Sequence, residues 1–464
     1  MSCLAGAGEN PFMQGGNLTL LTDLYQLTMA QSYFREQRLD IATFSLFIRS
    51  YPPDRGYFVS AGLSDVLKYL ENLSFDNADL DYLAAQGFFT DDFLHYLSDL
   101  KFTGEVWAIP EGRLFFKDEP VLEVSAPIIQ AQIAETFVIN QIHLQSLIAG
   151  KAARCFHAAA GRTVVDFALR RAHGTDAGMK VARASYLAGF AGTSNVMAGK
   201  EYNIPIVGTM AHSFVMSFER EIDAFRAYAE CFPSGTILLI DTYDTLAGAG
   251  HAAIVGNEMA ERGAKLIGVR IDSGDLAAQA RSVRKILDDA ELQQVKIFGS
   301  GGLDEYDLAD FASAEAPFDS YGVGTKMGTS ADAPWTDMSY KMVEYAGRPV
   351  QKLSTGKISW PGKKQVFRQL DDRRWLRKDV LGLRDENVAD SEPLLEKVME
   401  NGRAVKTPTL SAARERFLDE FSRLDDAVKA IRNPVPYRIE YSEELAELQR
   451  QVDEAIKRRA RSSQ

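Results

Sequence analysis

The sequence contains little cysteine and no long apolar run. Its 464 residues include three cysteines, Cys3, Cys155 and Cys231, whose spacing matches neither a CxxC motif nor a zinc site. This usage argues against a disulfide framework and predicts a reducing, cytoplasmic setting. No stretch approaches the roughly 20 apolar residues that a membrane-spanning helix needs, and residues 1–16 lack the cationic and apolar regions of a signal peptide. We therefore expect neither secretion nor insertion into a membrane.

Positive charge and nucleotide-binding fingerprints are also scarce. With 52 Lys and Arg against 64 Asp and Glu, the formal net charge is −12, which disfavours nucleic acids and anionic membranes as partners. Neither GxGxxG nor GxxxxGK(S/T) occurs, so the sequence predicts neither a Rossmann dinucleotide site nor a P-loop. A chain of 464 residues usually folds as more than one domain, and two or three are expected here at about 150 residues each.

The middle of the chain alternates short β-branched runs with amphipathic segments of helical length. Repeated strand-helix units predict an α/β fold with a parallel sheet, because right-handed crossovers return each strand beside its predecessor. Closure of such a sheet gives an α/β barrel. The predicted strands are residues 163–168, 204–209, 236–241, 265–272, 295–300 and 320–325.

The flanking segments have a different pattern. Residues 1–147 mix helical and strand-like stretches, which predicts an α+β domain, and residues 148–338 would form the barrel. We expect residues 339–464 to pack with the N-terminal domain, beginning with a hairpin that turns on Ala346 and Gly347. Helices are predicted over residues 410–430 and 442–459, separated by the helix-breaking stretch NPVPY.

Polar residues cluster where the predicted barrel strands end. In α/β barrels this end of the sheet carries the functional groups. Two pairs of aspartates, Asp241 with Asp244 and Asp272 with Asp275, offer oxygen ligands for Mg²⁺ or negative charge for a cationic transition state. Internal ion pairs with nearby arginines are the alternative. Two of the strand-end aspartates, Asp275 and Asp304, are predicted to be helix N-caps instead.

Glycine-rich turns follow the last two predicted strands, in FGSGGLDE and YGVGTKMG. Backbone N–H groups without side-chain obstruction can cradle a phosphate, and barrel enzymes often bind phosphate after the last two strands. The same glycines could simply serve turns with positive φ.

One histidine, His212 in GTMAHSFV, lies among these polar clusters. On its own it could be a packed, hydrogen-bonded core histidine. Beside carboxylates and a phosphate site, it could instead act as an acid or base, or carry a phosphoryl group. The residues alone do not decide between these roles.

Several long motifs are distributed over most of the chain, in the order TDLYQLTM (22–29), FALRRAHG (167–174), GTMAHSFV (208–215), LLIDTYDT (238–245), GVRIDSGDL (268–276), YGVGTKM (321–327) and PGKKQVFR (361–368). Together they resemble the nicotinate phosphoribosyltransferase family. The resemblance implies an irregular α/β barrel of the type II phosphoribosyltransferase kind, with an α+β domain built from both termini. It also implies a homodimer that makes nicotinate mononucleotide and pyrophosphate from nicotinate and phosphoribosyl pyrophosphate in NAD salvage, using Mg²⁺ and ATP.

The same resemblance implies a role for each matching residue. His212 corresponds to the histidine that is transiently phosphorylated, and Asp241 and Asp272 to carboxylates that serve the ribose, the pyrophosphate and Mg²⁺, with Asp241 a candidate metal ligand. Tyr25, expected from the partner subunit, and Phe167 would sandwich the pyridine ring. The remaining implied substrate contacts are Thr209 and Arg270 for nicotinate, Arg170 for an anion, and Gly301, Gly302, Gly322, Gly324 and Thr325 for the 5′-phosphate.

Three other functions are compatible with parts of the pattern. Nicotinamide phosphoribosyltransferase shares most of these motifs. That enzyme has an aspartate at the position of Ser194, however, and a carboxylate there would repel nicotinate. An aldolase-like barrel would use Lys326 to form a Schiff base. A binding protein without activity would not need the histidine and the carboxylates together.

Overall fold

The protein, examined as a computed structural model, is described over residues 17–352, 359–406 and 409–462. It divides into two compact units, one spanning residues 1–147 with 335–464 and the other residues 148–334. Cys3 lies outside the described residues, while Cys155 is buried and Cys231 exposed, both as free thiols. The helix that contains residues 147 and 148 crosses the boundary between the units.

Strands and helices are numbered here in chain order. The strands are β1 Ile41–Ile48, β2 Phe58–Val59, β3 Glu105–Ala108, β4 Leu114–Phe115, β5 Pro120–Pro127, β6 Thr163–Asp166, β7 Ile237–Leu239, β8 Gly268–Ile271, β9 Lys296–Gly299, β10 Ser320–Val323, β11 Met338–Tyr345, β12 Arg348–Pro349, β13 Lys364–Leu370, β14 Leu376–Leu383, β15 Ser391–Pro393, β16 Glu396–Glu400, β17 Arg403–Ala404 and β18 Ile439–Tyr441. The helices are α1 Leu24–Arg35, α2 Leu63–Glu71, α3 Asn77–Ala85, α4 Asp91–Ser98, α5 Ile128–Ile133, α6 Glu135–Ala158, α7 Thr175–Leu187, α8 Val196–Tyr202, α9 His212–Met216, α10 Glu221–Cys231, α11 Thr245–Glu261, α12 Leu276–Asp289, α13 Glu305–Ser313, α14 Thr325–Gly328, α15 Leu410–Ser422, α16 Asp426–Lys429 and α17 Glu443–Ser462, with a 3₁₀ turn at Leu169–Arg171.

The first unit is built on a seven-stranded antiparallel sheet in the order β12-β11-β1-β5-β3-β16-β17. Strand β1 is buried at all but its first residue. Its alternate residues from Ala42 to Ile48 lie in the hydrophobic core, and on the opposite face Thr43 and Ser45 are hydrogen-bonded to the side chains of Ser125 and Glu123. Across β1 and β11, Phe44 stacks on Tyr340 with ring centroids 4.7 Å apart. The predicted hairpin is confirmed: β11 and β12 pair around Ala346 and Gly347, whose φ angles of 51° and 70° suit a type I′ turn.

The second unit contains a parallel sheet in the order β6-β10-β9-β8-β7, as the strand-helix alternation predicts. Its five strands lie within five of the six predicted runs. The sixth prediction, a strand over residues 204–209, is wrong. Only Ile206 pairs, through an isolated bridge to Thr193, because Pro205 has no N–H to donate and Ile206 is 60% exposed.

Thr193 extends this sheet beyond its edge strand β6, because it also forms a parallel bridge with Asp166 at the end of that strand. Within the described ranges, no ladder joins the run around Ile206 to β7, so the arc of strands is irregular. The prediction of one continuous helix over residues 410–430 is also wrong. The segment is broken into α15 and α16 because the Asp425 side chain caps α16, accepting from the backbone N–H of Ala427.

None of the described helices combines the length and the apolar character that a membrane span requires.

Candidate active site

Two aspartates from neighbouring strands lie together at the C-terminal end of the parallel sheet. Asp241 follows β7 and Asp272 follows β8, and the backbone N–H of Asp272 donates to Oδ2 of Asp241 over 3.0 Å. The same oxygen accepts a 2.7 Å hydrogen bond from the Ser273 hydroxyl. Oδ1 of Asp241 is buried and has no hydrogen-bond partner among the described residues. A buried carboxylate oxygen without a partner is costly, so this atom is available to a ligand.

His212 lies beside this pair, at the first residue of the short helix α9. Its Nε2 is 4.0 Å from Oδ2 of Asp272, and its Nδ1 is 3.2 Å from the Thr242 hydroxyl. The side chain is 40% exposed. His212 is therefore not a packed core histidine, because a large part of its side chain is exposed.

Arg270 supplies positive charge next to the carboxylates. Burial lowers the pKa of its guanidinium, whereas Asp272 and Asp241 act to raise the pKa and Arg170 acts to lower it. Its Nε is buried without a partner in the part of the chain that the structure describes. The pocket thus contains an unpartnered cationic donor close to an unpartnered carboxylate oxygen, which suits a substrate with groups of both polarities.

Phe167 follows β6 and lies against two of the predicted phosphate-site glycines. A Cβ at Gly322 would come within 2.6 Å of the Phe167 ring, and a Cβ at Gly324 within 2.9 Å of the Phe167 carbonyl oxygen. On another side, Phe298 stacks against the ring with centroids 5.8 Å apart. Gly322 and Gly324 consequently make room for Phe167, a packing role that the glycine pattern alone did not reveal.

The glycines after β9 differ from each other. Gly301 has φ of 103°, and a Cβ there would lie 1.9 Å from the carbonyl oxygen of Asp272. Gly302 also has positive φ, 72°, but no described atom lies within 4 Å of a Cβ built there. Gly301 is therefore required by its contact with Asp272, and Gly302 is the position with open space for a ligand. Thr325 begins α14, and its hydroxyl accepts from Arg171 over 3.2 Å.

Two further predicted contacts in this unit, Ser194 and Thr209, lie between Thr193 and helix α9. Ser194 is partly buried, and its backbone N–H donates to the carbonyl of Asp166 over 2.8 Å. Thr209 is partly buried, and its hydroxyl donates to the carbonyl of Met210 over 3.4 Å.

Tyr25 belongs to the first unit, on helix α1. It lines a cavity of about 370 Å³ together with Asp23, Glu135 and His143. Burial, with the nearby charges of Glu135 and Asp23, raises the pKa of Tyr25 to about 12. The phenol is accordingly protonated at neutral pH and acts as a donor.

Several strand-end residues have structural roles instead. Asp275 and Asp304 are helix N-caps, as predicted, with Asp304 completing a capping box. Asp244, which the sequence suggested as a pocket carboxylate, is also an N-cap, accepting from the N–H of Ala247 over 2.8 Å. Lys326 forms ion pairs with Asp304 and Asp307 at 3.0 and 3.2 Å. Its amine is therefore not available to form a Schiff base in this arrangement.

The site fits a Mg²⁺ ion that arrives with a phosphorylated substrate. No group of three or more His, Cys, Asp and Glu side chains could hold a metal anywhere in the described ranges. Mg²⁺ is commonly bound by one or two carboxylates with substrate phosphates and water. Asp241, with its unpartnered Oδ1, and Asp272 match that kind of donor set.

Three hydroxyl residues hydrogen-bond to residues of the site, and sequence reasoning missed two of them, Thr242 and Ser273. Thr242, Ser273 and Ser300 contact His212, Asp241 and Asp272, respectively. Thr242 and Ser273 directly follow the two aspartates in the chain, so the motifs LLIDTYDT and GVRIDSGDL contained a signal. Ser300 could not be paired with Asp272 from sequence, because that contact joins two strands.

The fold and site define an α/β protein that gathers carboxylates, a guanidinium and an imidazole at the C-terminal ends of its parallel strands. Family profiles for nicotinate phosphoribosyltransferase match residues 20–143 (N-terminal domain), 163–368 (the family itself) and 387–449 (C-terminal domain). The chain belongs to this family.

Individual relatives agree with this assignment. A nicotinate phosphoribosyltransferase of Mycobacterium tuberculosis is 49% identical over 414 residues and covers 89% of each chain. The Bacillus subtilis enzyme is 37% identical over 460 residues, covering 92% of this chain and 94% of its own. Among solved structures, human nicotinic acid phosphoribosyltransferase superposes with a TM-score of 0.83 at 30% identity, covering 93% of this chain and 99% of the other.

Proposed function

We propose that this protein transfers the phosphoribosyl group of phosphoribosyl pyrophosphate to nicotinate, in the salvage synthesis of NAD. In this reaction the bond between the anomeric carbon and pyrophosphate breaks, and pyrophosphate leaves with the electron pair. The pyridine nitrogen then forms the new bond to that carbon. The observation that carries the proposal is the pocket of Asp241, Asp272 and Arg270 in a chain of this family.

The charges of the pocket suit both partners of the reaction. Positive charge develops on the ribosyl ring as pyrophosphate departs, and the carboxylates of Asp241 and Asp272 stabilise it. The guanidinium of Arg270, with Arg170 nearby, binds the carboxylate of nicotinate. Phe167 provides an apolar face for the pyridine ring. Mg²⁺, held by Asp241 and Asp272, would neutralise the departing pyrophosphate.

The base specificity follows from Ser194. A neutral hydroxyl at this position tolerates the ionised carboxylate of nicotinate, whereas an aspartate would repel it. The nicotinamide reaction is accordingly disfavoured.

His212 is proposed to couple the reaction to ATP. An unprotonated ring nitrogen attacks the terminal phosphorus of ATP, ADP leaves, and water later releases phosphate from the histidine. The exposure of the His212 side chain beside Asp272 supports this role. We further propose a cytoplasmic homodimer in which Tyr25 of one subunit completes the partner's pyridine site.

The test is an assay of the purified protein with phosphoribosyl pyrophosphate and Mg²⁺, comparing nicotinate with nicotinamide, each with and without ATP. We expect nicotinate mononucleotide, stimulated by ATP in the wild type but not in His212→Ala. His95→Ala, in helix α4 of the first unit, is the control and should keep the stimulation. Preference for nicotinamide, or no product from either base, would overturn the proposal.

A further inference from the structure

A buried carboxylate that the reaction does not use, Asp166, lies between two groups of the proposed pyridine site. It ends β6, directly before Phe167, and only 1% of its surface is exposed. Its Oδ1 accepts from the backbone N–H of Ala168 and its Oδ2 from the hydroxyl of Thr193, both over 2.7 Å. Each carboxylate oxygen is thus bound to a different segment.

The backbone of Asp166 joins the same segments. Its carbonyl accepts from the N–H of Ser194 over 2.8 Å, and its N–H donates to the carbonyl of Gly192 over 2.9 Å. On the other side, the N–H of Phe167 donates to the carbonyl of Val323 over 2.8 Å. Asp166 therefore connects the chain that presents the Phe167 ring to the chain that presents the Ser194 hydroxyl.

The polarity of these contacts requires a carboxylate. The Thr193 hydroxyl accepts from the N–H of Asn195 over 3.0 Å and donates its own hydrogen to Asp166. Asp166 must consequently accept two hydrogen bonds and donate none. An asparagine of the same shape offers only one acceptor atom, so the Thr193 hydroxyl would face an N–H group and lose its acceptor.

Burial raises the pKa of the Asp166 carboxyl, while the hydrogen bonds from Thr193 and Ala168 act to lower it. A buried carboxylate without an ion-pair partner destabilises the fold unless its hydrogen bonds are complete. Complete hydrogen bonding of this kind holds the linked segments in one geometry.

We propose that Asp166, acting through Thr193, is a positioning residue that holds the Ser194 hydroxyl at a fixed distance from the Phe167 ring and so sets the preference for a pyridine carboxylate over a pyridine amide. This inference rests on the proposed function. Asp166 itself touches no substrate. Its effect reaches the bound base only through the separation of the ring and the hydroxyl.

The experiment compares Asp166→Asn, Thr193→Val and Thr193→Ser with the wild type, measuring KM and kcat for nicotinate, nicotinamide and phosphoribosyl pyrophosphate. Loss of one hydrogen bond to a buried charge predicts about a tenfold rise in the KM for nicotinate for Asp166→Asn and Thr193→Val. The nicotinate-to-nicotinamide ratio of kcat/KM should fall with it, while the KM for phosphoribosyl pyrophosphate changes little. Thr193→Ser keeps the hydroxyl and should restore the wild-type ratio.

A double-mutant cycle separates positioning from a general loss of packing. If Asp166 acts through Ser194, Asp166→Asn should not alter the base preference further in a Ser194→Ala background. The inference is overturned if the variants lower kcat for both bases equally, if Thr193→Ser behaves like Thr193→Val, or if the two effects on preference simply add. A wild type without activity on nicotinate would instead refute the proposed function, which the same data set reports separately. Thermal unfolding shows which variants are folded. If Thr193→Val is not folded, the comparison of Thr193→Ser with Asp166→Asn is sufficient to test the inference.

Discussion

The hydroxyl of Ser300 donates a hydrogen bond to Oδ1 of Asp272, with the two oxygens 2.5 Å apart. Ser300 follows β9 and is buried, and Asp272 follows the neighbouring strand β8. With Oδ1 held in this way, Oδ2 remains directed at the imidazole of His212. Through this hydrogen bond, Ser300 at the end of one strand orients the proposed catalytic carboxylate of Asp272 at the end of the neighbouring strand.

Removal of that hydroxyl should weaken catalysis more than folding. Hydrogen bonds to charged groups contribute about 1.5–3 kcal/mol, so Ser300→Ala should lower kcat/KM about 10-fold to 100-fold if the bond is needed in the transition state. Steady-state kinetics with nicotinate measures this effect. Ser282→Ala is a control, because its hydroxyl donates to a carbonyl within helix α12. Equal losses in the two variants would contradict the prediction.

The two glycines after β9 should respond differently to alanine. Gly301→Ala places a Cβ 1.9 Å from the Asp272 carbonyl, so the loop must shift and Asp272 with it. Gly302→Ala has open space, so its cost in folding free energy is confined to the positive φ, about 1–2 kcal/mol. We expect Gly301→Ala to lose most activity and Gly302→Ala to retain a folded, measurably active protein. Urea unfolding and activity assays on both variants test this contrast, which fails if Gly302→Ala is the more damaging change.

Lys326 should not form a Schiff base. Burial acts to lower the pKa of its amine, but the hydrogen bonds and charges of Asp304 and Asp307 raise the pKa overall, so the amine is protonated at neutral pH. A protonated amine is not a nucleophile. Incubation with sugar-phosphate substrate and borohydride should therefore leave the mass of the protein unchanged. An adduct that disappears in Lys326→Arg would contradict this assignment.

The buried carboxylate of Glu420 should make the first unit less stable in acid. Its pKa is lowered from 4.5: burial acts to raise it, but the charges of Arg368 and Arg113 prevail. Because the folded-state pKa lies below the unfolded one, the stabilisation is present above about pH 4.5 and is lost as the pH falls through the folded value. Glu420→Gln should lower the urea midpoint at pH 7, with a difference from wild type that shrinks on acidification. Asp419→Asn, which alters an exposed neighbour, should show neither effect.

Much of the fold could be predicted because its signals are local. The alternation of β-branched runs with amphipathic segments marks the five parallel strands and the helices between them. Caps such as Asp275 and Asp304, and the turn at Ala346 and Gly347, depend on neighbours within a few residues. The strand predicted over residues 204–209 depended on a distant partner, and that prediction was wrong: among the described residues this run pairs only with Thr193, through an isolated bridge.

The candidate site divides in the same way. The sequence by itself determined which residue types follow each strand, the order of the family motifs, and hence the carboxylates, arginines and histidine of the pocket. Only the tertiary structure decided that Asp241 keeps an oxygen without a partner among the described residues, and that Gly301 makes room for Asp272. The physical reason is that these roles are set by distances between separate strands, and a hydrogen bond or a steric contact exists only once the strands are packed side by side.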